Sequence, residues 1–169
     1  AHTTGSQEYA TFYGECNQNT LNNLDTTKIY YYGKGTRTVW YQNQYSYTNL
    51  AHPMIYVDGK WKYLASGDFW VDVPTSSNTS IYTSASRLNG LKEAAMGFVS
   101  SMAQSSPNSK LGIATFNSNL EETVAIETIG TNVNGILMKI AAMTASGGTQ
   151  QDKGLSNARI QLETLLSVV

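Results

Sequence analysis

All 11 tyrosines and all three tryptophans of this chain lie at or before Tyr82; beyond it the only aromatic residues are Phe98 and Phe116. A chain whose large rings stop near its midpoint follows two structural rules, not one. Aromatic and β-branched side chains suit a pleated, half-buried surface, so residues 1–85 are expected to be β-rich. The remaining residues change to helical spacing. The whole chain, 169 residues long, can bury a core without staples.

The β-rich part divides at its glycines. Residues 27–32 (Thr-Lys-Ile-Tyr-Tyr-Tyr) and 37–41 (Arg-Thr-Val-Trp-Tyr) flank Gly33-Lys34-Gly35 and predict a hairpin. Residues 54–57 and 60–64 flank Asp58-Gly59, a stronger signal, because a type I′ turn needs positive φ at both centres. Residues 68–73 form a further strand ended by Pro74. The Ser/Thr-rich stretch 75–86 reads as a return linker. Residues 1–26 read as mainly loop with one short strand over 9–13.

The second part alternates helix and strand. Leu88, Leu91, Ala95, Phe98, Val99 and Met102 form an apolar stripe at helical spacing, capped by Ser84 or Ser86 and stopped at Ser105-Ser106-Pro107. Residues 110–116 predict a buried strand and 123–129 its hairpin partner. Glu121-Glu122 is read as a solvated turn. Val133, Ile136, Leu137 and Ile140 mark a second helix. Thr149-Gln150-Gln151-Asp152 opens a third, with Leu155, Ala158, Leu162 and Leu165 on one face. Core packing accounts for all three stripes.

Composition excludes several functions. Only 14% of residues are charged, against about 25% in ordinary domains. The formal net charge is −1, with no lysine or arginine cluster. Nucleic acids and anionic membranes are held by massed positive charge, so neither is an expected partner. No apolar run approaches the roughly 20 residues of a membrane span. Cys16 is the single cysteine, which rules out an intrachain disulfide and any Cys-x-x-Cys motif. His2 and His52 stand far from acidic clusters and read as terminus and loop. Paired catalytic carboxylates, serine-nucleophile signatures and phosphate-binding glycine loops are absent, since Gly33-Lys34-Gly35-Thr36 lacks the first glycine of such a loop. A non-enzymatic protein is expected.

Arg87-Leu88-Asn89-Gly90-Leu91-Lys92-Glu93-Ala94, the strand Leu111-Gly112-Ile113-Ala114-Thr115-Phe116, its hairpin partner, the following helix and Gly147-Gly148-Thr149 before the last helix resemble the von Willebrand factor A domain in order and length. The resemblance implies an α/β fold, a partial doubly wound sheet over residues 86–169, with 1–85 a β-rich inserted arm. In that family an Asp-x-Ser-x-Ser loop, a Gly-Gly-Thr loop and an aspartate after the fourth strand hold Mg or Mn through hard oxygens. Of these only Thr149 matches here. Gly147 and Gly148 would let the backbone approach the ion, and Asp152 would serve the helix dipole. The Asp-x-Ser-x-Ser motif is missing, and the sequence stops at Val168-Val169, where the fourth strand would begin. The metal site is therefore expected to be incomplete in this stretch, with the other ligands upstream and downstream in a larger protein or in a partner chain.

The arm resembles, more loosely, the insertions of von Willebrand A domains in Gram-positive pilus-tip adhesins, through Ile55-Tyr56-Val57-Asp58-Gly59-Lys60-Trp61-Lys62-Tyr63. This implies an extracellular, cell-surface adhesion domain that binds a host matrix protein or glycan and joins other pilus or cell-wall subunits. Trp40, Tyr56, Trp61, Tyr63 and Trp70 are the candidate ligand-binding residues, because rings of this kind combine contact area with a polar handle. A metal-independent carbohydrate-binding module using the same aromatic arm is the alternative. Alternation along the strands would put some of these rings, Tyr30 and Tyr32 included, into the arm's own core.

Overall fold

A computed structural model describes residues 10–33, 39–41, 44–46, 51–116, 120–144 and 151–167. The order is β1 (Ala10–Asn17), α1 (Gln18–Asn23), β2 (Tyr30–Gly33), β3 (Val39–Tyr41), β4 (Gln44–Ser46), β5 (Pro53–Val57), β6 (Lys60–Ser66), β7 (Phe69–Asp72) and β8 (Ser76–Ser84), followed by α2 (Arg87–Ser105), β9 (Lys110–Phe116), β10 (Leu120–Thr128), a 3-10 turn (Ile129–Thr131), α3 (Val133–Ala142) and α4 (Gln151–Ser167). The fold is mixed α/β, with a six-stranded antiparallel sheet and four helices among the described residues. The chain forms two compact units, Ala1–Ala94 and Ala95–Val169, dividing within α2. The boundary read from composition, between residues 85 and 86, falls just before that helix.

In the first unit the sheet runs β1-β8-β2-β5-β6-β7. The β5–β6 hairpin forms as its Asp-Gly turn requires: Asp58 and Gly59 take φ of 58° and 74°, and Tyr56 pairs with Trp61 across it. Other expectations need correction. The stretch read as a linker is β8, an inner strand paired on one side with β1 and on the other with β2. Its Thr, Ile and Tyr residues suit a sheet, and two ladders outweigh its polar composition. β2 does not form a hairpin with β3, because β8 and β5 occupy both its edges; β3 pairs with β4 instead. Residues 10–23 are strand and helix rather than loop. The Asn17 carboxamide accepts from the Thr20 backbone N–H at 2.9 Å and so caps α1.

One face of this sheet and α1 enclose the core: Cys16, Leu21, Leu24, Tyr30, Tyr32, Met54, Trp61, Tyr63, Val73 and Ile81, with Ala65 and Val71 against them. Tyr32 stacks on Tyr63 with centroids 4.1 Å apart, and Tyr30 meets Trp61 edge-on at 5.6 Å. Cys16 donates through Sγ to the Pro74 carbonyl at 3.8 Å. Tyr30, Tyr32 and Tyr63 thus serve as core side chains.

In the second unit β9 and β10 pair antiparallel, α4 packs on both strands and α3 on β10. β9 spans the residues its composition predicts but is not the buried strand expected: its residues are half-buried or exposed, because only one hairpin partner and α4 pack on it. The turn after α2 is tied to the 3-10 segment, where Ile129 and Gly130 donate to the Ser109 and Pro107 carbonyls at 2.9 and 2.8 Å. Ile136, Leu137 and Ile140 of α3 are buried as the spacing predicts. Glu121 and Glu122 belong to β10, not to a turn. Two apolar stripes are less covered than expected: Leu91 and Phe98 of α2, and Leu155 and Leu162 of α4, are exposed. Every strand pair among the described residues is antiparallel. The parallel, doubly wound arrangement implied by the resemblance is not among them.

Candidate functional site

The first unit carries a cleft of about 450 Å³, lined by Tyr13, Lys28, Ile29, Tyr30, the segment 83–86, Asn89, Gly90 and Glu93. Its walls come from β1, the lead into β2, the end of β8 and the first turns of α2. What joins them is a buried polar network. Ser86 starts α2 by accepting the Asn89 N–H on its hydroxyl at 3.0 Å, so that one of the two proposed caps is the working one. The Asn89 side chain is buried. Its Oδ1 accepts from the Tyr31 hydroxyl at 2.7 Å, and its Nδ2 donates to the Ser84 carbonyl and to Glu93 Oε1, both at 3.0 Å. Glu93 Oε1 also accepts the Ile29 N–H at 3.2 Å, and Lys28 reaches Oε2 at 3.5 Å. Asn89 and Glu93 stand one helical turn apart, on the same face of α2, and both bind the strand segment beside it.

Charge in the cleft is balanced, since Lys28 and Glu93 face each other. Glu93 is the one carboxylate of the lining, and its oxygens hold three donors. This arrangement fixes structure and leaves little lone-pair capacity for proton transfer. Burial pushes the Tyr30 phenol above its ordinary value, although the Asp25 N–H donated to its oxygen pulls the other way. The Thr27 hydroxyl and N–H hold the Asp25 carboxyl below its usual range. At the rim Tyr13 is 44% exposed and meets Tyr30 edge-on at 5.4 Å.

The residues selected from sequence are distributed differently. Trp61 and Tyr63 are core side chains, 7% and 6% exposed, and their rings engage Tyr30, Tyr56, Tyr32 and His52. Little of either ring is left for a ligand. Tyr56 is exposed and lies edge-on to Trp61, and Trp70 is half-buried on the edge strand β7. Trp40 belongs to β3, and its side chain lies outside the described residues; Thr149 lies outside them too, with Gly147 and Gly148. Of the described candidates only Tyr56 is exposed. Tyr13, Lys28, Asn89 and Glu93 escaped sequence reasoning. The Asn89/Glu93 spacing was visible, but nothing in it names β2 as the neighbour. His52, read as a loop residue, sits before β5, with Nδ1 2.8 Å from the Leu64 carbonyl.

Mg or Mn needs several hard oxygen ligands. Among the described residues no group of three or more His, Cys, Asp or Glu comes together. The described residues alone do not fit such an ion. Also among them, no helix is long and apolar enough to cross a membrane. In comparisons with known proteins the chain matches no family model, no curated protein and no solved structure.

Proposed function

We propose that the chain is part of a non-enzymatic cell-surface adhesion domain of the von Willebrand A type, binding a host matrix protein or glycan, with a Mg or Mn contact centred on Thr149 in the full-length protein. The observation that carries this reading is the order of elements after β8. A 19-residue helix, an antiparallel hairpin, a second helix and a third follow in turn, and Gly147-Gly148-Thr149 stands between the last two. That is the succession in which the family places its threonine ligand. The low charge and the tyrosine-rich first unit support an exposed, ligand-binding role over catalysis, and so does the engagement of Glu93 by three donors.

The metal-independent carbohydrate reading loses two of its rings, because Trp61 and Tyr63 are buried. It keeps Tyr56 and Trp70. The deciding experiment captures the full encoded protein on immobilised matrix proteins and glycans, in Mg and in EDTA. The adhesion reading expects binding to fall at least about tenfold on chelation and again in Thr149→Ala, with unchanged circular dichroism. Matrix-protein binding indifferent to both overturns it.

A further inference from the structure

We propose that the cleft between β1, β8 and the start of α2 is a binding site for a neutral pyranose sugar, needing no metal ion. This goes beyond the adhesion reading and uses none of the residues selected for it.

Four observations converge. The cleft, at about 450 Å³, lies within the range of small-ligand sites and exceeds one sugar ring. Its rim offers the exposed ring of Tyr13, held at a fixed angle by edge contact with Tyr30; the C–H face of a pyranose lies against such a ring. The charge is balanced by Lys28 and Glu93, so a ligand with net charge would meet one partner and oppose the other. The hydrogen-bonding capacity is lopsided. Glu93 holds three donors, Lys28, Ile29 and Asn89, on its roughly four lone-pair sites, and Asn89 Oδ1 already holds the Tyr31 hydroxyl. The Ser84 and Ser86 hydroxyls accept from the backbone N–H groups of Ser86 and Asn89, at 3.3 and 3.0 Å, and keep their own protons to donate. Lys28 keeps ammonium protons besides the one facing Glu93. A polyol supplies lone pairs to these donors without importing charge.

Gly90 completes the shape. It lines the cleft inside the first turns of α2, and a Cβ built there would meet nothing within 4 Å. Gly90 is exposed, so a larger side chain there has room beside the cleft. The walls are already fastened together by the Asn89 and Glu93 bonds, so a ligand need not order them, and preorganisation of this kind favours affinity.

The test titrates glucose, galactose, mannose and N-acetylglucosamine into the protein and follows amide shifts and saturation transfer by NMR. At least one sugar is expected to bind saturably, in EDTA as in Mg, with shifts at Tyr13, Ser86 and Gly90. Tyr13→Ala should weaken it about tenfold. Gly90→Leu, which fills the cleft from a site with room for it, should abolish it while the helix signal holds. Sugar binding that needs Mg, or that survives in folded Gly90→Leu, overturns the proposal. So does the absence of binding by all four up to about 10 mM, and so do shifts confined to other residues, which wild-type mapping reads even if a variant fails to fold. Because EDTA and Thr149→Ala are silent in this assay, its failure leaves the metal-assisted reading standing, and the converse also holds.

Discussion

Asn89 does more for the first unit than any residue a motif search would select. It takes the Tyr31 hydroxyl, the Ser84 carbonyl and Glu93 into one buried cluster. Asn89→Ala removes all three partners at once, and a lost buried hydrogen-bonding group costs about 1–3 kcal/mol; urea denaturation should show a stability lower by that amount, and an unchanged stability would contradict the network's role. Trp61→Ala is a different matter. The side chain is core, so truncation costs about 3–5 kcal/mol, and any binding lost with it reports unfolding. Tyr56→Ala removes only the edge contact with Trp61 and should cost about 0.5–1.5 kcal/mol, which makes it the milder probe of that surface. Asp72 supplies a pH test. Hydrogen bonds from Lys62 and then Lys60 hold its carboxyl below the usual range. A carboxyl lowered by folding adds stability that is complete above its unfolded value and is lost as pH falls through its folded value. Asp72→Asn should therefore have a lower urea midpoint at neutral pH and converge on wild type in acid; curves that stay parallel contradict the pairing.

Glycines separate the elements by what surrounds them. Gly90 stands inside α2 with open space at its missing Cβ, so Gly90→Ala should raise stability by up to about 1 kcal/mol through helix propensity alone. In α4, a Cβ on Gly154 would collide with the Phe116 ring of β9. Gly154→Ala should lower the thermal midpoint of the second unit, and a rise like that of Gly90→Ala would contradict the close approach of α4 to the hairpin. Elements announced by local chemistry were legible in the sequence: the Asp58-Gly59 hairpin, β7 before Pro74, β9, and α3 with its three buried aliphatics. Those decided by distant partners were not. β8 is polar enough to read as a linker and becomes a strand because β1 and β2 flank it. β2 carries the composition of a hairpin arm, yet its ladders run to β8 and β5. Leu91, Phe98, Leu155 and Leu162 show the reverse error, since helical spacing reports an apolar stripe but not whether anything lies over it.

At the scale of the whole molecule, the break in aromatic content corresponds to two kinds of packing: a first unit whose sheet is filled by tyrosine and tryptophan, and a second of helices on a short hairpin. The candidate site was less legible than the fold. Its cleft is assembled from residues far apart in sequence, whereas the motif singled out, Gly147-Gly148-Thr149, lies outside the described residues. The adhesion reading accordingly rests on the succession of elements around that loop. Titration of Mn into the full encoded protein, followed by paramagnetic broadening in the NMR spectrum, tests it most directly. The reading expects the amides of Gly147, Gly148 and Thr149 to broaden first, with the effect lost in Thr149→Ala. Broadening that begins elsewhere, or that is unchanged in Thr149→Ala, would contradict it.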